Sequence, residues 1–266
     1  MARALCYVRR IMTVTIGVPF YGDEQMLARC VTSLQQQTYK DIKILVIADG
    51  KEPFLIHNDP RIQIYTLPEN RGAYFARAVA LEATETSHHA IVDADDWVEP
   101  HWLETMLATG ASAVQHGSRF VESGAETAVM EWKHARRPLA TKLIHYTSHT
   151  GVYETERLRQ AGGYSPAFRV SYDSLLVSVL RLQGEVAIVD EPLYHRRVHD
   201  GSLTKRPETR IGSAQRESVR RTLDMTYRKM YRLRRNPAKI RALLNNLTPA
   251  LLWEEVRQHA QKVKDA

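Results

Sequence analysis

Ala90-Ile91-Val92-Asp93-Ala94-Asp95-Asp96-Trp97-Val98-Glu99-Pro100 is the stretch on which the organisation of this chain turns. A short apolar run reads as a buried strand. It leads straight into three carboxylates within four positions, and Pro100 then stands where a helix can begin. Carboxylates this close repel one another, which costs free energy unless a cation or hydrogen-bond donors offset it. Taken alone, the same residues fit a plainer role, with Asp95, Asp96 and Glu99 capping and charging the first turn of a helix over 100–108. The residues upstream favour the first reading over the second.

The chain has 266 residues, enough for one large α/β domain or two joined subdomains with a sizeable core. Hydrophobic content of 44% and charged content of 25% belong to a globular protein, and there is no repeat or low-complexity tract. No apolar run is long enough to cross a bilayer. Residues 1–10 carry Arg3, Arg9 and Arg10 around an apolar stretch too short for a secretory signal. Met12 is an alternative start that leaves the residues before it as a loose extension. Two cysteines, Cys6 and Cys30, supply neither a disulfide framework nor zinc spacing, which points to a reducing cytosol. The net charge of +7 suits an anionic ligand or partner.

Residues 14–18 (Val-Thr-Ile-Gly-Val) read as a buried strand whose ladder Pro19 is expected to stop. Gly22 permits a tight turn, and Asp23 is placed to cap a helix with Leu27, Val31 and Leu34 at helical spacing. Strands are expected at 42–48, ending in Asp49-Gly50, at 62–65 and at 90–92, with a polar turn over 68–72 and an Ala-rich helix over 73–83. This alternation predicts an α/β fold with a Rossmann-like, mainly parallel sheet flanked by helices. Ligands bind such sheets at the carboxyl ends of the strands, where Tyr21, Asp49 and Asp93 fall.

Four separated pieces, Val-Pro-Phe-Tyr at 18–21, Ser-Leu-Gln-Gln-Gln-Thr-Tyr at 33–39, Asn-Arg-Gly at 70–72 with Ala76-Arg77, and Asp-Ala-Asp-Asp at 93–96, give a pattern. It resembles the nucleotide-sugar half of the family 2 inverting glycosyltransferases, which have the GT-A fold and an Asp-x-Asp motif. Two departures stand out. Ala48-Asp49-Gly50-Lys51 keeps one acid where the family often has two, and Gly22 replaces the usual Asn. The resemblance implies that Pro19 and Tyr21 flank the nucleobase and that Asp49 accepts a hydrogen bond from it, as from the N3–H of uracil. It further implies that Asn70, Arg71 and Arg77 lie near the base or diphosphate and that Asp93 faces the ribose. Asp95 would hold Mn²⁺ or Mg²⁺ bridging the two phosphates of a nucleotide diphosphate sugar. Such hard cations take one or two protein carboxylates plus phosphates and water. Without the resemblance, Tyr21 reads as packing at a strand end, and Arg71 and Arg77 as a solvated helix face.

Residues 111–150 contain strand-like pieces at 113–115 and 128–132 and a basic turn region. His116, His134, His145 and His149 are irregularly spaced and pair with no cysteine or carboxylate, so they read as loop and acceptor-groove residues. Residues 151–164 read as a short helix stopped by Gly162-Gly163, similar to the family segment before the catalytic base. Ser171-Tyr172-Asp173 opens a helix over 174–183. The family usually has Glu-Asp here; Tyr172 replaces the first acid, and the resemblance implies that Asp173 is the general base. Asp is also a favoured N-cap, and a cap position keeps a carboxylate ionised, so the two roles are compatible. After a strand at 186–189, residues 192–204 resemble the family segment near the end of the catalytic domain. That implies His199 as a metal or diphosphate ligand and Arg197 near the leaving group, while His195 reads as an exposed strand edge. Gly201-Ser202 suggests a loop that closes over the donor.

From Lys205 the character changes. Val219, Leu223, Tyr227, Met230 and Leu233 follow helical spacing beside an arginine-rich face, and a second helix over 238–263 is interrupted at Thr248-Pro249. This basic helical C-terminal extension is expected to pack against the catalytic domain or a second copy as a homodimer, with contact to an anionic membrane or nucleic acid as the alternative. The expected organisation is 12–110 for the nucleotide sugar, 111–204 for acceptor and catalysis, and 205–266 as the extension. The expected activity is metal-dependent, inverting transfer from a UDP-sugar to a hydroxyl of a glycan, lipid-linked glycan, protein or modified nucleic-acid base. The expected location is cytoplasmic, or peripheral on the inner membrane surface. A nucleotidyltransferase would carry a Gly-rich basic loop after the first strand, which Pro19-Phe20-Tyr21-Gly22 is not. A non-catalytic nucleotide-sugar or carbohydrate-binding protein has no need of the acids at 93, 95 and 173.

Overall fold

The computed structural model describes residues 12–54, 58–122, 124–130, 143 and 149–266. The leading residues 1–10, His134 and His145 lie outside them, as does the end of the piece at 128–132. The chain opens with β1 (Val14–Phe20), α1 (Glu24–Gln35), β2 (Ile42–Asp49), β3 (Ile62–Leu67), α2 (Ala73–Ala83) and β4 (His88–Ile91). β1 pairs in parallel with β2 and β4, and β2 with β3, as the alternation of elements predicts. β1 and β2 are nearly continuous apolar runs because both faces of the sheet are covered there. Along β2, Leu45 and Ile47 enter the core under α2, while Ile44 and Val46 enter the core under α1.

Asp23 caps α1, its carboxylate accepting from the amides of Gln25 (2.8 Å) and Met26 (3.0 Å), and Leu27, Val31 and Leu34 are buried. Pro19 does not end the ladder as expected, since it lies in register with Ile47 and β1 runs on to Phe20. The reason is directional. Gly17 presents its carbonyl to Val92 on the β4 side, so Pro19, two residues on, faces that same side after β4 has ended and no N–H is called for. A Cβ on Gly17 would sit 2.7 Å from Ile91 Cδ1 and 2.8 Å from Ala80 Cβ, so the close seating of the alanine-rich α2 on β1 depends on glycine there.

The second half continues the same sheet with β5 (Trp97–Val98), α3 (Trp102–Ala108), β6 (Ala113–Glu122), β7 (Ala125–Met130), β8 (Val152–Glu154), α4 (Thr155–Gln160), α5 (Tyr172–Gln183) and β9 (Ala187–Val198). The strand order is β3-β2-β1-β4-β8-β6-β9-β5, with β7 on β6. The sheet is parallel through β3-β2-β1-β4 and mixed beyond, because β8 runs antiparallel to both β4 and β6. The stretch 151–164 is therefore not helical throughout. Its first residues form β8, which joins the two halves, before α4 ends at Gly162 (φ 95°) and Gly163 (φ 57°). β9 is longer than expected and contains Pro192, which falls where the register with β6 shifts between His116 and Ser118.

The extension forms α6 (Ala214–Arg232), α7 (Pro237–Asn245) and α8 (Ala250–Asp265). Leu223, Tyr227 and Met230 of α6, Ile240 and Leu244 of α7, and Val256, Ala260 and Val263 of α8 share one core with α2 and α5. Polar contacts fix α8 against β3, with Gln63 Nε2 donating to the Val263 carbonyl (2.6 Å) and Tyr65 Oη bonded to His259 Nδ1 (2.8 Å). On the arginine-rich face, Arg220 pairs with Glu217 and Arg228 with Asp224 on the same helix. Among the described residues no helix is long and apolar enough to cross a membrane. Met230 is fully buried, so Met230→Ala is expected to destabilise the protein by about 2–5 kcal/mol. Urea unfolding should remain a single transition with a lower midpoint; a separate early transition for the C-terminal helices would contradict the shared core.

Candidate active site

The acidic stretch leaves the end of β4 as a turn. The Val92 amide donates to the Gly17 carbonyl (3.1 Å), the Asp96 amide to the Asp93 carbonyl (2.9 Å), and Trp97–Val98 then pair with β9. The turn gathers Asp93, Asp95 and Asp96, each offering a carboxylate oxygen within 4.8 Å of the others. None of them caps a helix. α3 starts only at Trp102, its N-cap residue is His101 with no side-chain cap bond, and Glu99 instead bonds His195 Nε2 at 2.7 Å.

Each acid has a different environment. Asp93 accepts from the Arg77 guanidinium at 2.5 Å and lies 3.4 Å from His149 Nε2. Burial disfavours its charge, but Arg77 and His149 outweigh that and hold the carboxyl below the usual carboxylate range. Asp95 meets His199 Nε2 at 2.9 Å. Asp96 is buried and accepts from the Arg197 amide at 2.8 Å; burial first, then the charge of Asp95, push its carboxyl well above the ordinary range. A divalent cation fits this donor set: it would offset the burial and the neighbouring Asp95 charge that oppose ionisation of Asp96.

At the neighbouring strand ends, Pro19 is half-buried and Tyr21 is 62% exposed. The buried Asp49 carboxylate accepts from the amides of Arg71 (2.6 Å) and Gly72 (2.8 Å), and Asn70 Nδ2 reaches the Asp49 carbonyl at 3.5 Å. Burial raises the Asp49 carboxyl, and those two amides oppose it. Gly72 has φ 93°, which allows the chain to present consecutive amides to one carboxylate. Neither arginine of this segment is a solvated helix residue. Arg77 is 7% exposed. The Arg71 guanidinium lies over the Phe75 ring (4.6 Å) and pairs with both carboxylate oxygens of Glu255 on α8. Arg169 packs over Gly72 and acts electrostatically on Asp49.

Asp173 is not the N-cap of α5. That position is Ser171, in a left-handed conformation (φ 65°) with no side-chain cap bond, and Asp173 sits in the first helical turn. Its carboxylate accepts from the Tyr74 hydroxyl (3.2 Å), and its amide donates to the same hydroxyl (3.2 Å). Arg77, bonded to Asp93, stands 5.0 Å from the ring of Tyr74, whose hydroxyl bonds Asp173, and the charges of Asp93 and Asp173 both act on Arg77 and Arg196.

The histidines separate by position. His195 is not on an open edge: β9 lies between β5 and β6 there, and its ring stacks on Trp97 at 5.0 Å. His116 belongs to the core rather than to a groove, stacked on Tyr194 at 5.7 Å, with burial pushing it down to about 4. His149 stands against Asp93, a pairing that spacing gave no reason to expect. Tyr74, Arg169 and Glu255 were equally invisible in the sequence, since each reaches the site across tens of residues or more.

Comparison with known proteins places this arrangement. Residues 15–121 match the sequence model of the family described as Glycosyl transferase family 2. The glycosyltransferase GlyA of Streptococcus pneumoniae is 35% identical over 100 residues, covering 35% of this chain and 14% of that protein. The putative glycosyltransferase EpsH of Bacillus subtilis is 25% identical over 223 residues, covering 74% of this chain and 64% of EpsH, so the chain spans less than two thirds of either relative. Among solved structures, S. aureus TarS 1-349 in complex with UDP superposes with a TM-score of 0.58 at 16% identity, over 96% of this chain and 90% of that one, a likeness of fold. The chain is thus similar over residues 15–121 to glycosyl transferase family 2 and shares the GT-A fold of the TarS structure.

Proposed function

We propose that this protein transfers a sugar from a nucleoside diphosphate sugar, a UDP-sugar, to an acceptor hydroxyl with inversion at the anomeric carbon. The observation that carries this reading is the Asp93–Asp95–Asp96 turn at the end of β4 together with Asp173, the two joined through α2, whose Arg77 bonds Asp93 and whose Tyr74 bonds Asp173. The match of residues 15–121 to the glycosyl transferase family 2 model and the UDP bound by TarS, a protein of like fold, support the donor class. In this reading Pro19 and Tyr21 flank the base, and Asp49, fixed by the Arg71 and Gly72 amides, accepts from its imide N–H. Asn70 and Arg71 shape that loop, while Arg77 holds Asp93 towards the ribose. Asp95 and His199 would hold Mn²⁺ or Mg²⁺, which when bound supplies positive charge against the diphosphate. Arg197 adds charge at the same end.

Asp173 takes the proton of the acceptor hydroxyl as that oxygen bonds to the anomeric carbon, and the bond to the diphosphate oxygen breaks with its electron pair leaving on UDP. The acceptor is a glycan hydroxyl, free or lipid-linked, on the cytoplasmic side, and the cationic residues of α6 support contact with an anionic membrane surface.

Thermal unfolding with UDP, GDP, dTDP and CDP, each with Mn²⁺, Mg²⁺ or EDTA, tests the donor site. Saturation at about a hundred times the dissociation constant adds roughly 2.7 kcal/mol, so UDP with a divalent cation should raise the melting point and EDTA should remove the gain. No shift with any nucleotide would overturn the reading. Asp173→Asn should lower turnover by about 10²–10⁴-fold while leaving the UDP-dependent shift intact; undiminished turnover would remove Asp173 from the role of base.

A further inference from the structure

The geometry points to Tyr74 as the residue that positions Asp173 for proton abstraction, an inference that rests on Asp173 being the base. One hydroxyl makes both contacts to that residue: it donates to Asp173 Oδ1 and accepts from the Asp173 amide, each at 3.2 Å. Two bonds from a single atom fix the carboxylate relative to its own backbone, and engaging Oδ1 leaves Oδ2 to take the acceptor's proton.

The start of α5 needs such a clamp. First-turn amides of a helix have no partner within it, and an N-cap side chain usually supplies one. Ser171 does not. It is the only described non-glycine residue with positive φ, it makes no cap bond, and Arg216 Nη1 reaches its hydroxyl at 3.4 Å. The missing acceptor therefore comes from a different element, α2. The ring that carries it is held firmly. Tyr74 is 5% exposed and meets Tyr172 edge-on (6.0 Å, 83°), while Tyr172 stacks on Phe168 at 5.0 Å.

Tyr74 also lies one helical turn before Arg77, whose guanidinium stands 5.0 Å from the Tyr74 ring and bonds Asp93. One rigid helix thus sets both the base and the carboxylate of the donor turn, so their separation is fixed by α2 rather than by the loops between them. A mere core tyrosine would also seek a partner for its buried hydroxyl. The two roles differ in consequence, because packing affects stability in any background, whereas positioning acts only through Asp173.

A double-mutant cycle separates them. Tyr74→Phe keeps the ring and removes only the hydroxyl. UDP release from UDP-glucose and UDP-N-acetylglucosamine, with water as acceptor, is measured for the parent, Tyr74→Phe, Asp173→Asn and the double variant. The expected result is a kcat about tenfold lower in Tyr74→Phe with donor KM within about twofold, and no further loss when Tyr74→Phe is added to Asp173→Asn. Equal losses in both backgrounds would overturn the proposal.

Hydrogen exchange supplies a readout that needs no donor. Tyr74→Phe should speed exchange at the start of α5, around residues 171–175, with the remainder of α2 and α5 unchanged. Unaltered protection there would equally overturn the clamp. Undiminished turnover in Asp173→Asn would instead condemn the assignment of the base, and the exchange result would still report whether Tyr74 holds the turn.

Discussion

Arg77 carries a charge into the interior of the protein, and much of the site follows from the need to answer it. A guanidinium does not shed its proton, so burial cannot be relieved by neutralisation. Asp93, at the end of β4, supplies the opposite charge at 2.5 Å and is thereby held ionised. Fixing Asp93 fixes the turn that follows, because the Asp96 amide is bonded back to the Asp93 carbonyl. Two residues beyond the anchored acid stands Asp95, facing His199, and then Asp96, driven towards its neutral form. One turn therefore holds carboxyl groups pushed in opposite directions by their surroundings, an arrangement typical of sites built for charge-dependent chemistry.

The same helix explains the closeness of the parts. α2 lies on β1 where Gly17 offers no side chain, and its small residues let it approach the sheet. From that position it reaches three ways: through Gly72 at its N-cap to Asp49, through Arg77 to Asp93 and through Tyr74 to Asp173. α8 covers its outer side, with Phe75 edge-on to His259 at 6.0 Å and Arg71 paired with Glu255. Those contacts make the C-terminal helices part of the wall behind the site.

The parallel half of the fold was legible because its information is local. Continuous apolar runs mark strands covered on both faces, Asp23 and the spacing of Leu27, Val31 and Leu34 mark a capped helix, and three acids after a strand mark a loaded turn. Expectations failed where a residue's state depends on a remote partner. Pro19 stays in its strand because β4 has already ended beside it. Asp173 looked like a cap, but its amide and carboxylate both turn to Tyr74 of α2. Arg71 looked free until Glu255 came alongside. His116 and His149 resemble each other as letters, yet one lies in the core and the other against Asp93, a difference no spacing rule encodes. Ser171 carried no sign of its left-handed backbone, because serine is not a residue that advertises one.

The bond from Gln63 to the carbonyl of Val263 spans 200 positions and has a consequence for biosynthesis. The first strands can pair as they leave the ribosome, but Phe75 and Val79 of α2 stay uncovered until α5 and α8 have been made. The nascent chain must therefore carry an exposed apolar face through most of its translation, the condition under which chaperones bind and premature self-association begins. Closure of the β3–α2 side of the protein is thus timed by the arrival of α8, and a ribosome that stalls before α8 leaves the Asp49 loop without its brace.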